Sequence, residues 1–111
     1  MIILIPLGGK GERFKKNNYK QPKALVNVSG KPILFWLLDS LKSVDNNTLI
    51  YIPYNKEYEF YRLQNLIINN YPKFNFKFLC LEKDTEGAAE TINIALNKLA
   101  LDDQPILCLD S

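Results

Sequence analysis

At 111 residues, with 47% hydrophobic and 23% charged side chains, the chain is long enough for one domain with its own core and too ordinary in composition for a disordered or fibrous class. Its 14 basic and 12 acidic residues leave a formal charge of +2, which gives neither a nucleic acid nor a membrane surface an electrostatic footing. With no histidine and 2 cysteines outside any CxxC arrangement, histidine general-base chemistry and a tetrahedral zinc site are excluded, so any metal should be hard and oxygen-bound.

The first apolar run, 1–7, is too short to span a membrane and lacks the basic region and cleavage site of a signal peptide, so the cytoplasm is the expected compartment. It reads as a buried strand that empties into Gly8-Gly9-Lys10-Gly11-Glu12-Arg13-Phe14. Glycines at a strand end let backbone amides approach a phosphate, although a glycine pair also serves simply to turn the chain. Segment 15–30 has neither a helical nor an alternating period and reads as a long loop carrying Lys23. Ile33-Leu34, Leu37-Leu38 and Leu41 then predict a helix, with Trp36 assigned to the core. A second strand follows over 48–52, a helix through Tyr58, Tyr61, Leu63 and Leu66-Ile67, and a third strand over 76–81. Ala88-Ala89, Ile92, Ala95-Leu96 and Leu99 predict the third helix, and 105–109 the fourth strand. Cys80 and Cys108 lie within apolar runs and are expected as buried thiols.

This alternation predicts an α/β fold: an open, Rossmann-like, three-layer α/β/α arrangement with a mainly parallel sheet in the order 3-2-1-4. Strands one and four, nearly continuous in apolar character, are expected to be buried on both faces. In such a sheet the ligand crevice lies beyond the carboxyl ends of the strands, here between the first and fourth, facing Gly8 to Arg13 and Asp110. Because the chain stops directly after the fourth strand, it is expected to be a fragment. A dinucleotide fold would want a third glycine where Phe14 stands and an acid after the second strand, where Pro53-Tyr54-Asn55 stand. Gly30-Lys31-Pro32 lacks the hydroxyl that closes a P-loop.

Three linked motifs, Gly8-Gly9-Lys10-Gly11-Glu12-Arg13, Pro22-Lys23-Ala24-Leu25 and Gly30-Lys31-Pro32-Ile33-Leu34, occur in one order. Together they resemble the GGxGxR, PKxL and GKPxL signature of the sugar-phosphate nucleotidyltransferases, the nucleotide-sugar pyrophosphorylase family. Residues 82–91 look like that family's second nucleotide-binding turn, and 107–111 like the strand bearing its metal-binding aspartate.

The resemblance implies that 1–111 is the nucleotide-binding part of a nucleotidyltransferase domain whose acceptor-binding half lies elsewhere. Its partners would be a nucleoside triphosphate and a phosphorylated small-molecule acceptor. An acceptor phosphate oxygen would attack the α-phosphorus and pyrophosphate would leave, so no activated serine, cysteine or histidine is needed. By the same resemblance Arg13 and Lys23 are the catalytic candidates. Leu7, Gly8, Gly9, Lys10 and Gly11 in the first turn, and Glu82, Gly87 and Ala88 in the second, would hold the nucleotide. Asp110, or the residue after Ser111, would help hold Mg2+.

Each position also has a plainer reading. Arg13 and Lys23 can be solvated charges, Asp110 a strand-end turn or cap, and Gly87 relief of crowding at a helix start. Glu82 is either a surface carboxylate or a base contact; as an acceptor only, it would favour an exocyclic amine such as that of cytosine. Two further readings stand beside the first: a cytidylyltransferase acting on choline phosphate or another small phosphate, and a catalytically silent nucleotide-binding module.

Overall fold

A computed structural model describes residues 1–8, 22–45, 47–83, 85, 87–99 and 105–109. Their contacts divide them into two compact units, one built from the amino-terminal strand and the described residues from Asp45 to 109, the other from the described residues between them. In chain order the elements are β1 (Ile2–Leu4), a 3-10 turn (Lys23–Leu25), β2 (Asn27–Val28), β3 (Lys31–Pro32), α1 (Ile33–Asp39), β4 (Leu49–Asn55), a 3-10 helix (Lys56–Tyr61), α2 (Leu63–Asn70), β5 (Asn75–Leu81), α3 (Ala88–Lys98) and β6 (Ile106–Cys108).

The larger unit holds a four-stranded sheet, β5-β4-β1-β6, in which every pairing is parallel. Counting these four strands alone, this is the expected 3-2-1-4; the numerals differ because the short β2/β3 hairpin was read as loop. Period-two alternation sends Ile2 and Leu4 to one face, where they meet Tyr51 and Ala95 with Leu49, Leu79, Ile92, Leu96 and Ile106 around them. The apolar stripe of α3 supplies Ile92, Ala95 and Leu96, so this helix covers that face. Tyr51 fixes it further, its hydroxyl donating to the Ala95 carbonyl at 3.1 Å. On the opposite face Tyr54 accepts from Gln64 of α2 at 2.7 Å, and Leu63 and Ile67 of that helix are fully buried. The unit therefore has the three layers the alternation predicts. Burying a Leu or Ile side chain of this kind stabilises by about 1.5–3 kcal/mol.

The second strand runs past Ile52 and through Pro53, which occupies an interior position between Leu7 and Leu79. A proline there cannot donate, so the ladder between β1 and β4 is interrupted after Ile5 donates to Tyr51. It resumes where Leu7 donates to the Pro53 carbonyl at 2.7 Å and Asn55 donates to the Leu7 carbonyl at 3.0 Å. The expected second helix is likewise divided. Asn55 caps a 3-10 segment through the Glu57 amide at 2.9 Å, and Arg62, in the left-handed region at φ 53°, separates it from α2.

Three further expectations are corrected. β6, expected to be buried on both faces, stands at the end of the sheet where the order 3-2-1-4 puts it, but among the described residues its faces are not covered and Leu107 is 43% exposed. Cys108 is accordingly exposed rather than buried, and Cys80 is half-buried. Trp36, assigned to the core, is 46% exposed. Its indole donates to the Val28 carbonyl at 2.7 Å, and its ring lies 3.8 Å below the Lys31 ammonium, which also pairs with Asp39.

In the smaller unit, part of the expected 15–30 loop is structured. Pro22 opens a 3-10 turn by accepting from Leu25 at 2.9 Å, and Ala24 and Leu25 are buried. Ser29 and Gly30, at φ 51° and 94°, form the two-residue turn of the antiparallel β2/β3 hairpin. Pro32 then caps α1 with φ preset at −56°.

Candidate functional site

The carboxyl end of β1 is held from two sides. Leu7 is buried and has both main-chain groups bonded to β4, whereas the Gly8 carbonyl turns to the other side and accepts from Thr85. An ideal Cβ on Gly8 would overlap Thr91 Oγ1 and lie 2.7 Å from Leu81 Cδ1 and 2.9 Å from Thr91 Cγ2. Close approach of α3 and of the end of β5 thus requires glycine at this position.

The turn after β5 carries the chain to the start of α3. Glu82 is exposed in the bend. Gly87 is the N-cap of α3, at φ 161°, an extended conformation any residue adopts, and among the described residues no side chain caps the helix. A Cβ there would meet nothing within 4 Å. Among the described residues neither strain nor crowding demands glycine at Gly87, and none of them covers this helix start on that side. Ala88 is the first residue of α3. Helix amides that lack intrahelical partners, together with the helix dipole, favour an anion at such an end.

Thr85 and Thr91, 1% and 0% exposed, join the two glycines. Thr85 Oγ1 lies 2.9 Å from the Gly8 carbonyl and 2.6 Å from Thr91 Oγ1, and Thr91 Oγ1 lies 3.1 Å from the Gly87 carbonyl. Sequence reasoning did not single out these threonines: Thr85 and Thr91 stand within the second turn, but burial of a hydroxyl pair has no sequence period. Asn55, buried at the end of β4 beside Leu7, was also missed as the residue that caps the following 3-10 helix.

Behind the end of β4, Tyr54 donates to Glu59 and accepts from Gln64. Burial, reinforced by the Glu59 hydrogen bond, pushes the Tyr54 phenol well above its ordinary value. Burial and the negative charge of Glu59 also raise the Cys80 thiol, the opposite of what a thiolate nucleophile needs.

Leu7, Gly8, Glu82, Gly87 and Ala88 thus all fall at or just beyond the carboxyl ends of β1 and β5. Lys23 belongs to the smaller unit, half-buried in its 3-10 turn. Gly9, Lys10, Gly11, Arg13 and Asp110 lie outside the described residues. Among the described residues no three His, Cys, Asp or Glu side chains gather as metal ligands, and no helix is long and apolar enough to cross a membrane.

Comparison with known proteins follows this geometry. A nucleoside-diphosphate-sugar pyrophosphorylase from Vibrio cholerae RC9 superposes with a TM-score of 0.83 at 25% identity, covering 97% of this chain and 46% of its own. HddC from Yersinia pseudotuberculosis, solved in complex with GMP-PN, shares the fold with a TM-score of 0.66 at 22% identity, over 96% of this chain and 46% of its own. The bifunctional protein GlmU of Methanocaldococcus jannaschii is 32% identical over 57 residues, which are 51% of this chain and 14% of that protein. The chain therefore spans less than half the length of each of these relatives. The MobA-like NTP transferase domain matches residues 3–110, nearly the whole sequence, and the chain belongs to that family.

Proposed function

We propose that this chain is the nucleotide-gripping part of a nucleotidyltransferase that moves a nucleoside monophosphate from a nucleoside triphosphate to a sugar phosphate or related phosphorylated acceptor. The observation that carries this reading is the pairing of two glycines at one end of a parallel sheet: Gly8 closes β1, and Gly87 opens a helix held against it. Family membership and the pyrophosphorylase neighbour support the reaction class. The acceptor-binding part belongs, in this reading, to the further length that the solved neighbours possess.

In the reaction an acceptor phosphate oxygen forms a bond to the α-phosphorus, the bond from that phosphorus to the β-phosphate oxygen breaks, and pyrophosphate carries away the electron pair. Such chemistry needs positioning and neutralisation more than a protein nucleophile. The turn from Leu7 through Gly8, Gly9, Lys10 and Gly11 would offer amides to the triphosphate, with Arg13 and Lys23 supplying positive charge. At the second turn Gly87 and Ala88 would let the helix start approach the nucleotide. By the same resemblance a Mg2+ ion would be held by Asp110 or by the residue after Ser111. When bound it would neutralise phosphate charge. Cytoplasmic location is part of the same proposal.

Pyrophosphate release by the complete protein tests the assignment. Arg13→Ala is expected to lower turnover by about 10²–10³-fold, the scale of losing one charge-stabilising donor, with its melting temperature held. Near-normal turnover rejects the role. Glu82 as base contact predicts a preference for CTP over UTP; equal use of both assigns it to the surface instead.

A further inference from the structure

The two threonine hydroxyls have two protons and three oxygen contacts between them. At 2.6 Å the Thr85–Thr91 contact requires a proton between the oxygens, so one of the two carbonyl contacts must go without a hydroxyl proton. The Gly87 carbonyl already receives the Thr91 amide at 3.2 Å, as an ordinary helical bond. Among the described residues the Gly8 carbonyl has otherwise the longer Thr85 amide contact at 3.4 Å. The arrangement that leaves no buried acceptor poorly served is therefore directional: Thr91 donates to Thr85, and Thr85 donates to Gly8.

We propose that Thr85 and Thr91 are positioning residues for the nucleotide site, a hydroxyl relay that sets the orientation of the glycine turn against the first turn of α3. This rests on the proposed function above. A peptide unit is planar, so holding the Gly8 carbonyl fixes the plane in which the glycine turn begins. Thr91 acts twice: its hydroxyl directs Thr85, and its side chain fills the space a Cβ on Gly8 would take. Both hydroxyls are buried, so they act through Gly8 without touching the ligand. The relay links the strand end and the helix start as one preformed surface, and a ligand then meets amides that do not have to be ordered on binding.

Inorganic tripolyphosphate, a base-free probe of the phosphate grip, tests this by titration calorimetry on the full chain. Thr85→Val and Thr91→Val are each expected to weaken binding about five- to tenfold, the worth of one net hydrogen bond, whereas Thr85→Ser and Thr91→Ser stay within about twofold of the parent. Hydrogen exchange of the unliganded protein supplies a second readout: peptides covering 7–14 should exchange faster in the valine variants and recover in the serine variants. Valine variants that bind and exchange like the parent overturn the relay, as do serine variants impaired as much as the valines. Parent protein that fails to bind tripolyphosphate sinks the nucleotide reading instead. In that event the exchange comparison still decides whether the relay holds the turn.

Discussion

An alanine methyl at Gly8 has nowhere to go, because Thr91 and Leu81 already occupy its volume. Gly8→Ala is therefore expected to destabilise the fold by about 1–3 kcal/mol, the range for overpacking, measured by urea denaturation. Gly87→Ala meets open space and an unstrained backbone, so its cost should stay within about 1 kcal/mol, the difference in N-cap preference. If the helix start approaches a nucleotide, the same substitution weakens triphosphate binding, separating the two glycines by kind. The sequence offered Gly8 as a ligand-binding glycine by its place at a strand end, and Gly87 by resemblance to the nucleotidyltransferase motifs. What it did not offer was the identity of their neighbours. Thr91 reaches Gly8 only after β1, β5 and α3 have assembled, and no local spacing encodes that approach. Trp36 misled in a related way: its place among Phe35, Leu37 and Leu38 suggested core, whereas its indole nitrogen and the Lys31 charge hold it at the surface.

Elements with long apolar runs or helical spacing were legible, since period and burial are the same fact seen twice. Legibility ended at local exceptions. Pro53 argued for ending the strand at Ile52, yet its carbonyl still serves Leu7 and the missing donor costs only one rung. Arg62 divides a helix because its left-handed backbone, at φ 53°, ends the 3-10 segment that Asn55 caps before α2 begins. The β2/β3 hairpin escaped because each strand has two residues, too few to show alternation. Between elements, the Tyr51 hydroxyl ties β4 to the Ala95 carbonyl of α3. Tyr51→Phe should lower stability at neutral pH by about 0.5–1.5 kcal/mol. Burial raises the Tyr51 phenol above its ordinary 10.0, so the folded state keeps a proton that the unfolded chain releases. Its contribution is complete below pH 10 and is lost as pH rises through the higher folded value. Stability against pH should therefore fall on the alkaline side, and less steeply in the phenylalanine variant.

At the scale of the molecule, strand order and layering followed from alternation, and the placement of Gly8 and Gly87 at carboxyl strand ends followed from the parallel sheet. The edge place of β6 followed too, whereas the burial expected of its two faces did not, because an apolar run reports what a strand is suited to pack against and not what covers it. The candidate site was legible mainly as motifs. Its described half adds Thr85, Thr91 and Asn55, whose roles are tertiary. The gap in the ladder at Pro53 has a dynamic consequence. Leu7 donates to Pro53 and accepts from Asn55, a pair of bonds set apart from the run that begins at Ile2, so the end of the sheet that carries Gly8 can breathe while the layers beneath stay closed. The Leu7 and Asn55 amides should then exchange with solvent deuterium by a local opening, insensitive to low denaturant, whereas the Ile5 amide waits for the whole unit to unfold. That opening would carry Gly8, Thr85 and Thr91 together, so the surface offered to a ligand keeps its shape while its anchorage to the sheet loosens.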